Sequence, residues 1–322
     1  MPNLVKAQTD IPHLTDIEGA ITKLKRDMNA VILSHYYQDS AIQDIADFVG
    51  DSLDLSRKAA NTDADVIVFC GVKFMAEAAS ILSPDKTVLI PDLMAGCSLE
   101  ESCQASDFKI FRESHPEYLA ITYINCSAEV KALSDIIVTS TNAEKIINSI
   151  PLSQKILFSP DKNLGNYLIR RTGRDMKLWN GVCIVHENFS EKELINIKTH
   201  KPKSRIIAHP ECQAHLLEYA EHVGSTSSLI KYVEQFQDSE FIVLTEPGII
   251  HQMHLHAPSN KYYDVPSFSK SGCINCSECP YMRLNTIEKL YLCMTSRAPE
   301  VKVPKDIADK ARKALDRMLE LS

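Results

Sequence analysis

The chain has 322 residues, 44% of them apolar and 24% charged, with a net charge of −7 at pH 7 and a pI near 5.9. That is enough apolar material for one large core or two to three smaller ones, so a disordered chain is excluded. The acidic balance, with no basic run interleaved with aromatic residues, excludes the positive face that nucleic acid or an anionic membrane requires.

No window approaches the roughly 18 consecutive apolar residues of a membrane span, and the first twenty residues hold no signal-peptide apolar core. The expectation is a cytoplasmic protein with neither a membrane nor a nucleic-acid partner. In a reducing compartment its ten cysteines are not disulfides, so those not buried as small hydrophobes are candidates for ligation or catalysis.

In chain order, residues 14–29 carry apolar residues at helical spacing, and AVILSHYYQD then reads as a buried strand ending at a histidine. AIQDIADFVGDS follows as a short amphipathic helix and a Gly-Asp-Ser turn, LDLSRKAANT as another helix and DVIVFCG as a second strand. KFMAEAASILSP is a helix and TVLIPD a third strand, with Cys97 just beyond it in LMAGCSLEESC. Strand and helix alternate, which predicts parallel α/β architecture.

The same order is then written twice more. AITYINCSAEVKALSDIIVTSTNAEKII and RIIAHPECQAHLLEYAEHVGSTSSLIKYV both parallel AVILSHYYQDSAIQDIADFVGDSLDLSRKA. In each, a strand ends in a polar residue (His35, Asn125, His209), and a hydroxyl-bearing turn (Asp51-Ser52, Ser140-Thr141, Ser225-Thr226) opens the next helix but one. The spacing from polar residue to hydroxyl is 17, 15 and 17. Each copy ends near a cysteine: Cys97, then Cys183, then the group Cys273, Cys276 and Cys279. A fixed-period repeat of this kind predicts three pseudo-equivalent, three-layer αβα (Rossmann-like) domains around a pseudo-threefold axis. The boundaries are 1–106 with the N-terminal helix, 107–190, and 191–299 with the cysteine-rich loop. The amphipathic C-terminal helix within 300–322 is expected to pack on the first domain.

In parallel sheets, loops at the carboxyl ends of strands gather ligands, and the helix N-termini beyond them offer free N–H groups to anions. Three such units would aim three cysteines, three polar strand ends and three hydroxyl turns at one cavity, predicting a three-cysteine cluster that faces a small anionic substrate. The stretch GCINCSECPYM taken alone leaves several readings open: an iron–sulfur loop, a zinc half-site, a redox disulfide or incidental thiols. C-x2-C-x2-C opens a ferredoxin-type run but lacks its fourth cysteine.

The chain resembles the quinolinate synthase family along nearly its whole length. The motifs are HYYQ (35–38), GDSLDLS (50–56), AGCSLEESC (95–103), YIN (123–125), TSTNA (139–143), FSPDKNLG (158–165), GVCIVHE (181–187), AHPEC (208–212), VGSTSSLIKY (223–232), TEPGI (245–249) and CxxCxxCPYM (273–282). The resemblance implies three α/β domains around a central [4Fe–4S] cluster. It also implies a transferase reaction in de novo NAD synthesis, in which iminoaspartate and dihydroxyacetone phosphate condense to quinolinate with loss of phosphate and two waters. The functional partner it implies is an L-aspartate oxidase or dehydrogenase that supplies iminoaspartate.

Carried over by position, the resemblance makes Cys97, Cys183 and Cys279 the cluster ligands and leaves one iron open as a Lewis acid. His35, Ser52, Tyr123, Asn125, Ser140, His209, Glu211 and Thr226 match the residues around the substrate. Tyr37, His209 and Glu211 match acid–base residues, His209 and Glu211 forming a pair across one proline, and His186 lies close to the cluster. Cys273 and Cys276 occur in only some members; they are expected not to ligate and are close enough in sequence to form a reversible disulfide, with that pairing left open.

Blander readings stand beside these. Cys70, Cys126, Cys212 and Cys293 fit buried structural thiols, and Cys103 competes with Cys97 as a ligand. His251, His254 and His256 have no facial metal spacing. A strand-end Ser such as Ser52 is also a helix cap. Two other function classes remain, an iron–sulfur electron carrier and a zinc hydrolase. The first needs a fully ligated cluster and no pocket chemistry, the second a His/Asp-rich ligand set.

Overall fold

Runs such as Val66–Cys70, apolar at every position, are stable only where both faces of a strand are covered, as in a parallel sheet between helices. In a computed structural model of the chain, which describes residues 16–268, 274–275 and 277–322, all five of these residues are buried. The first sheet comprises β1 (Ala30–His35), β2 (Phe48–Gly50), β3 (Val66–Cys70) and β4 (Thr87–Leu89), in the order β2-β1-β3-β4. The second comprises β5 (Tyr118–Tyr123), β6 (Ile136–Val138), β7 (Lys155–Ser159) and β8 (Met176–Leu178), in the order β6-β5-β7-β8. The third comprises β9 (Arg205–Ala208), β10 (His222–Val223), β11 (Glu240–Leu244) and β12 (Lys261–Asp264), in the order β10-β9-β11-β12. Every pair in the three sheets is parallel. One strand order written three times is the three-unit α/β architecture expected from the repeat.

The strands β2, β6 and β10 were absent from the sequence reading, which ran a helix straight to the Gly-Asp-Ser turn. In its place the helix Ser40–Ile45 stops short, and Phe48–Gly50 pairs with Leu33–His35. At two or three residues on a sheet edge, such strands carry too little periodicity to read. They bring each hydroxyl turn back beside the end of the strand that precedes it.

The layers are not closed by each unit's own chain alone. The helix Ile287–Ser296 packs against Ile17–Asp27, sharing Ile17, Ile21, Leu290 and Met294 in one core on the outer face of the first sheet. The C-terminal helix Lys305–Leu321 buries Ala311, Ala314, Leu315 and Met318, one face at spacings of three, one and three. It lies on Ala128–Ala132 and β6 of the second unit and on Lys73–Leu82 of the first, so it joins two units rather than closing the first alone. One continuous core runs through both. A short antiparallel pair, β13 (Ser267–Phe268) with β14 (Ile274–Asn275), leads toward Cys279; Cys273 and Cys276 lie outside the described residues.

Candidate active site

Each unit sends the same three features to the carboxyl ends of its strands. His35 ends β1, Asn125 lies two residues past β5 and His209 directly follows β9. Asp51 caps the helix Ser52–Asn61 by accepting from Leu53 N and Asp54 N, and Ser225 caps Thr226–Val233 by accepting from Ser228 N. Ser140 precedes the helix Ala143–Ser149. The strand-end residues and Ser52, Ser140 and Thr226 line a single cavity together with Tyr37, Tyr123, His186, Glu211, Cys97, Cys183 and Cys279. Its empty space, counting the part open to solvent, is about 660 Å³. Val72, Phe74 and Met75, at the start of the helix after β3, add an apolar wall that sequence reasoning missed. The Oδ1 of Asn125 is buried and has no hydrogen-bond partner among the described residues, as expected of a group that meets a ligand.

The chemistry of the donors tests whether an iron–sulfur cluster fits. The other five described cysteines, Cys70, Cys103, Cys126, Cys212 and Cys293, are buried in apolar cores away from the cavity. Cys103 sits among Phe108, Ala120 and Leu157, which removes it as a rival to Cys97. Burial pushes the thiols of Cys97 and Cys183 well up and that of Cys279 up to about 11, so a cationic centre is needed to hold them as thiolates. Among the described residues, the group of three whose ligand atoms all lie within 4.8 Å is Cys183, His186 and Glu211, not the three cysteines. That group is occupied with itself, because His186 Nδ1 is 3.1 Å from Cys183 Sγ and 2.9 Å from Glu211 Oε2. Three thiols that line one cavity and do not come together as a single-ion group suit a polynuclear centre that takes one thiolate per metal.

Opposite the thiols in chemical character is a continuous hydrogen-bonded chain. Tyr37 Oη is 2.6 Å from Thr245 Oγ1, which is 2.9 Å from His186 Nε2, and His186 Nδ1 meets Glu211. Tyr123 donates to Glu211 Oε1 at 2.6 Å. One assignment satisfies every link: Tyr37 donates to Thr245, Thr245 to His186, and His186 Nδ1–H to Glu211. Thr245 was missed in the sequence because the repeat places Gly71 and Pro160 at the corresponding strand ends, so no equivalence marks it. His209 was expected to pair with Glu211, but its Nδ1 is 3.9 Å from the Glu211 carboxylate and accepts instead from the Glu211 backbone N at 3.5 Å. His209 Nε2 instead meets Ser140 Oγ at 3.2 Å, and the close partner of Glu211 is His186.

The electrostatics follow from burial. Desolvation lowers the pKa of His35 to about 4 and that of His209 to about 3, so both imidazoles are neutral at pH 7. Burial alone would raise Glu211, but His186 and His209, with the hydrogen bonds from His186 and Tyr123, hold its carboxyl below the usual range. Burial and then the Glu211 charge push the phenol of Tyr37 well up, so it is protonated at rest. Glu246, another residue sequence reasoning missed, is fully buried. Its Oε1 accepts from Cys279 N at 3.3 Å and Arg283 Nη2 at 2.9 Å, and its Oε2 accepts from Gly248 N at 2.7 Å.

Three repeated α/β units that give one cysteine, one polar strand end and one hydroxyl turn each to a shared cavity define a class: an α/β enzyme with a thiol-lined cavity for small molecules. Comparison with known sequences places the chain within that class. Residues 19–320 match the family described as quinolinate synthetase A protein, and the chain belongs to that family. Proteins named quinolinate synthase from Microcystis aeruginosa and Synechocystis sp. are 56% and 57% identical over 307 residues, covering 95% of this chain and 95% and 96% of theirs. One from Thermosynechococcus vestitus is 54% identical over 311 residues, 97% of each chain. The family binds an iron–sulfur cluster.

Proposed function

We propose that the chain is a quinolinate synthase of NAD biosynthesis, condensing iminoaspartate with dihydroxyacetone phosphate to quinolinate, phosphate and two waters. The observation that carries this reading is the convergence of three cysteines, one from each unit, with neutral anion donors on one cavity. Cys97, Cys183 and Cys279 would hold a [4Fe–4S] cluster, which would supply one iron without a protein ligand as a Lewis acid.

The chain's own residues bind, orient and move protons. Ser52, Ser140 and Thr226 offer hydroxyls, and the helix N-termini behind them offer N–H groups, to the carboxylates and phosphate. His35 and His209, neutral at pH 7, add donors without a charge that would compete with a metal for the anions. Tyr123 and Asn125 complete the polar wall. Loss of two waters requires protons to leave carbon and reach departing hydroxyls, and Tyr37 is the group with a path for them. A proton arriving at Tyr37 passes inward through Thr245 to His186, which is held by its bond to Glu211, and returns by the same route. His209 orients substrate through its bond to Ser140.

An electron carrier has no use for a polar cavity of this kind, and among the described residues a zinc hydrolase has no convergent ligand set apart from the self-paired Cys183, His186 and Glu211. The division into units at 106/107 and 190/191 is part of the same reading, supported by one sheet and one cavity-facing cysteine in each span. So are a cytoplasmic setting and supply of iminoaspartate by an L-aspartate oxidase or dehydrogenase. No helix among the described residues is long and apolar enough to cross a membrane.

Anaerobically purified protein should form quinolinate from the two substrates. Cys97→Ser, Cys183→Ser and Cys279→Ser should each lose iron and activity together, while Cys273→Ser and Cys276→Ser retain both. Cluster loss in either of the last two with retention in Cys279→Ser would overturn the ligand assignment.

A further inference from the structure

The pseudo-threefold repeat is broken at one point beside the hydroxyl turns. Where the second and third units carry hydroxyls, the first carries a carboxylate, Asp51, which is 4% exposed. Its Oδ1 accepts from Leu53 N at 3.0 Å and Asp54 N at 2.9 Å, which caps its own helix. Its Oδ2 accepts from Thr141 Oγ1 at 2.6 Å and from Ser227 Oγ at 2.8 Å. Thr141 directly follows Ser140 in the second unit, and Ser227 directly follows Thr226 in the third. One buried carboxylate with all four of its bonds made thus ties together the three turns that carry Ser52, Ser140 and Thr226.

We infer that Asp51 is a positioning residue, a tripod that sets the spacing of the three hydroxyls against the substrate's anionic groups. The inference rests on the reading of those hydroxyls as anion donors. Thr141 and Ser227 do not line the central cavity; they line a separate surface cavity that shares Ser140 with it. Their effect on substrate is therefore transmitted through the turns they anchor. Hydrogen bonds to a charged group are the stronger kind, and a carboxylate that accepts from three units fixes their mutual geometry in a way that contacts within one unit do not. The four donors also disperse a charge that would otherwise repel an anionic substrate from the same wall.

The test is steady-state kinetics of the iron-loaded enzyme under anaerobic conditions, with iron per chain measured on each variant. Thr141→Val and Ser227→Ala should each raise the KM for dihydroxyacetone phosphate by about tenfold while kcat stays within about threefold and iron is unchanged. Asp51→Ala should raise KM by at least as much, and adding Thr141→Val to it should do nothing further, since the partner is already gone. Asp51→Asn, whose amide keeps the cap and reaches both hydroxyls, should restore most of the KM. Ser52→Ala, which removes a proposed contact with substrate, should raise KM by itself. If Ser52→Ala raises KM but Thr141→Val and Ser227→Ala are wild type, or are additive with Asp51→Ala, the tripod is wrong and the substrate reading stands. An Asp51→Asn no better than Asp51→Ala also overturns the tripod. A wild-type KM in Ser52→Ala overturns the substrate reading and the tripod with it.

Discussion

At the scale of single residues, the cavity works through groups whose ordinary protonation burial has changed. Tyr37 is a weak acid made weaker, and the proton-carrying role proposed for it rests on a relay that starts at Thr245. Thr245→Val should therefore lower kcat by about 10²-fold with KM and iron content close to wild type, and Thr245→Ser should recover most of the loss. Equal activity in Thr245→Val would show that the proton leaves Tyr37 by another path. His35 carries a stability consequence. Its folded pKa of about 4 lies below the ordinary 6.5, so between those values the unfolded chain binds a proton that the folded chain does not. Stability contributed by neutral His35 is complete above pH 6.5 and falls with pH, by on the order of 2 kcal/mol at pH 5. Thermal midpoints of anaerobic protein at pH 7 and pH 5 check this, and His35→Asn should show the smaller decrease.

Among the elements, the loops that carry cysteines differ in how they are held. Cys97 and Cys183 sit on loops tied to each other, since Ser98 Oγ accepts from Ile184 N at 3.0 Å. Cys279 depends on Glu246 at the end of β11, which takes the Cys279 amide and the Arg283 guanidinium on one oxygen. Burial raises Glu246 to about 7, and Arg283 offsets part of that cost. Glu246→Ala removes both acceptor oxygens, so the Cys279 loop loses its anchor. Iron loss to a chelator should be about tenfold faster in that variant, with activity per iron atom little changed. Chelator kinetics equal to wild type would mean that the cysteine holds its own loop.

Over the whole molecule, helices from the far end of the chain close the first two units. Leu315 of the C-terminal helix is fully buried in the core shared by both. Leu315→Ala should cost about 3 kcal/mol and lower the thermal midpoint by roughly 3–6 °C, with full iron content at low temperature. A smaller shift would mean that the joint between the units relaxes around the missing methyl groups. The joint positions the cavity as well, because the angle between the first two sheets decides whether Ser52 and Ser140 face the same ligand.

The repeat, a cysteine-bearing loop in each unit, and the polar strand ends and hydroxyl turns of the cavity were legible in the sequence because each is local. A strand that ends in a polar residue, a capped helix start and a cysteine after a strand all announce themselves within a few neighbours. Contacts between units were decided by tertiary structure alone. No local pattern tells that Thr245 bridges Tyr37 and His186, residues 208 and 59 positions away, or that Asp51 gathers turns from three units. The pairing of Glu211 with His186 rather than the neighbouring His209 has the same cause: two residues across a proline are close in sequence, but their side chains meet partners from another unit, His186 for Glu211 and Ser140 for His209. The C-terminal helix showed its apolar face in the sequence, but which surface received that face depended on how two finished sheets came together.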